Sequence, residues 1–158
     1  ETGERAQFFV EEHGKAVYVT RSVGERAVRT DPGIGSRVPL HATAAGKAIL
    51  SELPEQELSD MLERMSFEPV TPHTITDPGE LHAELAAVRE QGYSFNREES
   101  LLGTNAAGVS ICGPDGDVIG ALSVTGPSHR LKDEPFEEDL PDLLLGAANE
   151  LELNIAHS

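Results

Sequence analysis

A chain of 158 residues fits one domain and is long enough to bury a core, and its 38% hydrophobic content is low but compatible with a globular fold. The 28 acidic against 12 basic side chains give a formal net charge of -16, which excludes a cationic nucleic-acid surface and matches the acidic, lysine-poor profile of proteins from salt-loving organisms. No apolar run approaches the roughly 18 residues of a membrane span, no signal-peptide pattern is present, and Cys112 alone forms neither an intramolecular disulfide nor a thiolate metal site, so a cytoplasmic location is expected.

Glu1 to Arg5 is a polar lead-in, and Gln7 to His13 reads as a strand. Gly14-Lys15 marks a turn, and Ala16 to Val23 alternates apolar with polar residues, which predicts a first hairpin. A third strand is expected over Arg26 to Thr30, ending at the turn Asp31-Pro32-Gly33. From about Thr43 to Leu50 the alanines, lysine and leucine favour a helix. Small Ala44 and Ala45 in its first turn would leave backbone N–H groups within reach of an anion, and would equally let the helix pack closely. Pro54 to Met65 reads as a second helix, with Leu58, Met61, Leu62 and Met65 along one side. Asp77-Pro78-Gly79-Glu80 is a capping box, so a third helix should run from Pro78 to Gln91. Its packed side carries Leu81, Leu85 and Val88, and Gly92 supplies a left-handed end. Tyr93 to Arg97 is a strand leading into a loop at Glu98-Glu99.

Asn105 to Ile111 and Val118 to Thr125 are runs of small and β-branched residues joined through Gly113-Pro114-Asp115-Gly116, which predicts a hairpin. Ser123 and Thr125 are two apart, so both hydroxyls turn to one face, where small residues leave room for a ligand. Leu140, Leu144, Ala147, Leu151 and Ile155 recur at helical spacing and predict a last helix over about Pro141 to Ala156. Anything helical before Pro141 should be a separate segment, because proline is tolerated only in a first turn. Strands, then helices, then strands, then a helix point to an α+β fold, an antiparallel sheet with helices packed on it.

Two nucleotide motifs fail. Gly46-Lys47 lacks the rest of a phosphate loop, since the earlier glycine would fall at His41 and the hydroxyl at Ala48. Gly33-Ile34-Gly35 would need a further glycine where Val38 stands.

Two longer blocks carry a resemblance. Gly35-Ser36-Arg37-Val38-Pro39-Leu40-His41-Ala42-Thr43-Ala44-Ala45-Gly46-Lys47-Ala48-Ile49-Leu50 resembles the signature block of the IclR-type transcriptional regulators. Gly92-Tyr93 through Asn96, Glu98-Glu99, Gly103 and Ile119 to Pro127 resemble that family's second block, and the likeness covers nearly the whole chain. It implies a GAF-like effector-binding domain over residues 6–158, with 1–5 a linker remnant and the family's winged helix-turn-helix domain absent from this chain. It also implies a homodimer or homotetramer that reads a small organic acid or aromatic compound, reaches DNA only through the missing domain, and needs no cofactor, metal or membrane. The family's backbone ligand contacts map onto Ala44 and Ala45, its polar anchors onto Asn96, Ser123 and Thr125, and its pocket walls onto Ala27, Thr30, Thr104 and Ala106. Asn96 stands where some members have an acidic residue, and Ala106 where they have a cysteine. Hydroxyls, an amide and helix-terminal donors together suit a carboxylate without a formal positive charge.

Two other classes compete with a sensor. An enzyme would need a nucleophile and base such as Ser123 and His41, but no nucleophile-elbow pattern accompanies them, and a structural hydrogen bond is the plainer role for His41. Cys112 beside the hairpin turn reads as inert, adjacent Glu98 and Glu99 face opposite ways, and the histidines show no metal-ligand spacing. A pure oligomerisation module would instead use Leu140, Leu144, Leu151 and the N-terminal hairpin as its interface.

Overall fold

The computed structural model describes residues 4–12, 15–23 and 37–157. Six strands, β1 (Arg5–Glu12), β2 (Lys15–Val23), β3 (Arg37–Pro39), β4 (Ser94–Arg97), β5 (Thr104–Cys112) and β6 (Val118–Pro127), make one sheet in the order β3-β2-β1-β6-β5-β4. Every neighbouring pair is antiparallel. Among the described residues four α-helices accompany it: α1 (Ala44–Ser51), α2 (Glu55–Arg64), α3 (Pro78–Gln91) and α4 (Leu140–Ala156). The α+β expectation of an antiparallel sheet flanked by helices therefore matches the observed fold.

Local chemistry sets the helix ends. Asp77 accepts a hydrogen bond from the Glu80 N–H at 2.9 Å and Pro78 opens α3, whose missing N–H costs nothing in a first turn. Gly92 closes α3 at φ 92°, a conformation that a residue with Cβ rarely adopts. Thr43 caps α1 by accepting from the Gly46 N–H at 3.1 Å.

The two faces of the sheet bury different layers. On one face α1, with α2 and α3 behind it, closes a core around Ile49, Leu50, Leu58, Leu81, Leu85 and Ala121. On the other, α4 and the turn before it close a layer of Ala107, Val109, Ile111, Val124, Phe136 and Leu144.

Several sequence expectations change. The strand over Arg26 to Thr30 lies outside the described residues. Among the described residues, a short strand that the sequence reading did not anticipate lies at Arg37–Pro39, pairing with Lys15 to Val17. Glu4 and Arg5, assigned to the lead-in, belong to the domain: β1 begins at Arg5, and the Glu4 carboxylate is buried against the Arg130 guanidinium at 2.7 Å. No break precedes Pro141, because a π-helical turn, Pro135–Asp139, runs directly into α4. Its wider spacing, with the Leu140 N–H on the Pro135 carbonyl, brings the chain into α4 with Pro141 in the first turn.

The buried side of α4 keeps Leu140, Leu144 and, in part, Ile155 from the expected set, but takes Ala148 in place of Ala147 and leaves Leu151 exposed. Leu140, Leu144 and Ala148 pack at intervals of four, whereas Ala147 and Leu151 face outward. Leu140 and Leu144, each 3% exposed, are thus taken by the core and unavailable to an interface.

Candidate functional site

Strand register builds the floor of a cavity. Arg5, Thr125, Ala106 and Asn96 stand side by side on β1, β6, β5 and β4, and directly opposed residues share a face. The next row on that face is Gln7, Ser123, Gly108 and Ser94. Small residues in the middle of both rows leave a cavity of about 300 Å³, at the lower end of the range for small-molecule sites.

The N-terminus of α1 forms the roof, and Gly108 is what lets it sit there. A Cβ at Gly108 would lie 2.9 Å from the carbonyl of Ala44, so only glycine permits the helix start to rest directly on the sheet. Ser94 fastens the same turn by donating to the Ala44 carbonyl at 2.6 Å. Ala44 and Ala45 occupy the first two helical positions, whose N–H groups have no acceptor within the helix, and both residues line the cavity.

Hydrogen bonds already made show which cavity groups a ligand can still use. Gln7 Nε2 donates to Thr125 Oγ1 at 2.6 Å, which leaves the Thr125 proton to donate elsewhere. Ser123 is buried, and its hydroxyl has no hydrogen-bond partner among the described residues. Ser100 accepts from Asn96 Nδ2 at 3.0 Å and keeps its own proton. Thr43, by contrast, is used up: it donates to the Pro39 carbonyl and caps α1.

Asn96 lines the cavity, but its amide belongs to the frame. Nδ2 donates to the Ala42 carbonyl at 3.1 Å and to Ser100, and Oδ1 accepts from the Glu99 N–H at 2.8 Å. It braces the β4–β5 loop against the approach to α1, with no amide hydrogen left over.

Lys47 completes that frame. Fully buried on α1, its Nζ meets the Glu99 carboxylate at 2.5 Å, the Glu84 carboxylate at 2.5 Å and the Phe95 carbonyl at 2.8 Å. Removing the Lys47 ammonium would strand the buried Glu99 carboxylate, at a cost of about 3–5 kcal/mol.

Of the nine residues singled out by sequence, Ala44, Ala45, Asn96, Thr104, Ala106, Ser123 and Thr125 line this one cavity. Ala27 and Thr30 lie outside the described residues. Sequence reasoning missed Arg5 and Gln7, which line the cavity from β1. Arg5 places a formal positive charge there, contrary to the expectation of a site without one. The only signal for these two was their spacing with Phe9, three residues two apart that share a strand face.

Two other groups considered for catalysis, His41 and Cys112, lie outside the cavity lining. His41 is buried, donates from Nε2 to the Glu68 carbonyl at 2.9 Å and meets the Phe67 ring edge-on. Cys112 is half-buried, and burial, reinforced by Glu52 and Glu152, pushes its thiol above the ordinary value of 9.0. Among the described residues no group of three or more His, Cys, Asp or Glu is placed to hold a metal, and no helix is long and apolar enough to cross a membrane.

Comparison with known proteins gives a consistent result. Residues 1–153 match the family model for the bacterial transcriptional regulator IclR C-terminal domain. The Halobacterium salinarum protein named Probable HTH-type transcriptional regulator ArcR is 35% identical over 158 residues, 98% of this chain and 60% of that protein. The crystal structure of Thermotoga maritima IclR superposes with a TM-score of 0.92 at 32% identity, covering 98% of this chain and 62% of the other. The inducer-binding domain of a double mutant of the PobR transcription factor from Acinetobacter, in complex with 3-hydroxybenzoic acid, superposes with a TM-score of 0.85 at 31% identity, covering 94% of this chain and 87% of the other. The chain thus spans roughly three fifths of the first two proteins.

Proposed function

The chain belongs to the IclR family of transcriptional regulators, and on that premise we propose that it is the ligand-sensing part of a longer DNA-binding regulator, holding a small organic acid between α1 and the sheet. The observation that carries this reading is the convergence of donors on one cavity. Ala44 and Ala45, whose N–H groups have no acceptor within the helix, line a space of about 300 Å³ together with Ser123, Thr125 and Arg5. Donors of this kind complement a carboxylate, and the helix N-terminus adds its favourable dipole. The 3-hydroxybenzoic acid held by the PobR domain is an acid of this class.

Binding takes place without turnover. Of the imagined pair Ser123 and His41, the histidine is committed to the Glu68 carbonyl; separately, the raised Cys112 thiol is a poor nucleophile at neutral pH. With a net charge of -16, the domain leaves DNA contact to the rest of the full-length protein. Self-association uses α4, where Leu143, Leu145 and Leu151 are each 36% exposed and Leu153 is 52% exposed. Sedimentation of Leu151→Glu beside the wild type checks this last point, with a smaller assembly expected for the variant.

Thermal-shift titration with small aliphatic and aromatic acids, 3-hydroxybenzoate among them, tests the sensor reading, since a ligand that binds only the folded state raises Tm. One or more acids should raise it. Ser123→Ala combined with Thr125→Ala should weaken any hit at least about tenfold, because each hydrogen bond to a charged group contributes roughly 1.5–3 kcal/mol. No Tm response to any acid, or unchanged affinity in the double variant, would defeat the assignment. Chromatography of the recovered ligand should show it unaltered.

A further inference from the structure

A second cavity, of about 240 Å³, adjoins the first. Arg5, Leu101, Thr104 and Thr125 line both, so the two are neighbouring chambers sharing a partition. Beyond the partition the second chamber is bounded by Leu102, Gly103, Gly126 and Pro127, which bring hydrocarbon and backbone but no charge. Arg5 suits a boundary position, because a guanidinium can face an anion while its methylene stem lies along apolar surface.

Leu101 and Leu102 stand over this chamber with 45% and 55% of their surface exposed. They are presented by a well-fixed loop. Glu98 sits at φ 58° and Gly103 at φ 83°, and the Gly103 N–H donates to the Glu98 carboxylate at 2.6 Å. Thr71 and Thr74 donate to the Glu98 and Glu99 carbonyls, each at 2.6 Å, and the Ser128 N–H reaches the Gly103 carbonyl at 2.8 Å. A loop held at both ends displays two adjacent leucines to water beside a chamber that adjoins the donor-lined one.

We propose that the second chamber receives the apolar tail of an organic acid whose carboxylate lies in the first, so that the ligand class is an amphiphilic monocarboxylate. This rests on the carboxylate reading above and adds what the rest of the molecule must be. A compact polar acid leaves the leucines in water; an acid with a hydrocarbon tail covers them.

Isothermal titration of the chain with straight-chain acids from acetate to octanoate tests it. Affinity should rise about two- to fourfold per methylene once the tail passes the partition, with one ligand bound per chain. Leu102→Ser, which alters the second chamber alone, should flatten the rise between butyrate and octanoate while leaving butyrate affinity unchanged, and Leu102→Met should restore it. Affinity independent of chain length, tighter binding of short acids, a second equivalent of octanoate, or equal weakening of butyrate and octanoate in Leu102→Ser would each overturn the proposal. Butyrate binding with no length effect overturns the tail chamber alone, whereas failure of every acid to bind overturns the carboxylate reading with it. The wild-type length series decides the matter even if Leu102→Ser folds poorly.

Discussion

On the α4 side of the sheet, Ala107, Val109 and Ile111 of β5 join Val124 of β6 in an apolar layer with Phe136, Leu140 and Leu144. On the α1 side, the intervening residues of the same two strands are Ala106, Ser123 and Thr125, which line a cavity, and Gly108, on which the start of α1 rests. Because side chains alternate along a strand, one stretch of sequence writes both surfaces. Bulk on one side supplies the core; its removal on the other makes room for a ligand without thinning that core. Stability and binding are thereby assigned to different residues that are neighbours in sequence.

Substitutions on each face can break or sharpen this division. Phe136→Ala should have the largest effect, a loss of about 3–5 kcal/mol in urea unfolding from an aromatic that is 1% exposed, with ligand affinity unchanged. An affinity that fell together with stability would show that the faces are not independent. Gly108→Ala should do the reverse. Its Cβ would meet the Ala44 carbonyl at 2.9 Å and force the α1 N-terminus off the sheet, costing roughly 1–3 kcal/mol while binding of any acid found by thermal shift falls well out of proportion.

Charge acts on both faces alike. If the net -16 is an adaptation to salt, Tm should rise between low and molar potassium chloride, because screening relieves repulsion that folding concentrates. A flat response would remove the halophilic reading. The smallest effect is at Cys112. Its raised pKa means that the unfolded chain gives up the thiol proton first, so this group's contribution to stability is full below 9.0 and is lost as pH rises through the folded value. Alkylation of the native chain at pH 8 should correspondingly be slower than that of a free cysteine.

How far the sequence could be read depended on the range of the interaction. The α3 helix was legible to the residue because Asp77, Pro78 and Gly92 signal its ends within a single turn. The β5–β6 hairpin and the shared face of Ser123 and Thr125 were legible for the same reason. Arg5 and Gln7 were not, because they enter the site only through pairing with Thr125 and Ser123, more than a hundred positions away. Asn96 was placed in the right wall, but its commitment to Ala42, Ser100 and Glu99 depends on how the loop closes. On α4, Leu151 carried the right period yet ended outside, since the helix has more apolar residues than the sheet can cover.

Lys47 offers a chemical clock. Its ammonium group is enclosed by Glu84, Glu99 and the Phe95 carbonyl, whereas Lys132 lies exposed on the surface. An amine-acylating reagent should therefore label Lys132 at once and Lys47 only in molecules where α1 has parted from the β4–β5 loop. The ratio of the two rates counts how often the cavity's frame opens, and a ligand that holds the frame shut should slow that clock without touching the lysine itself.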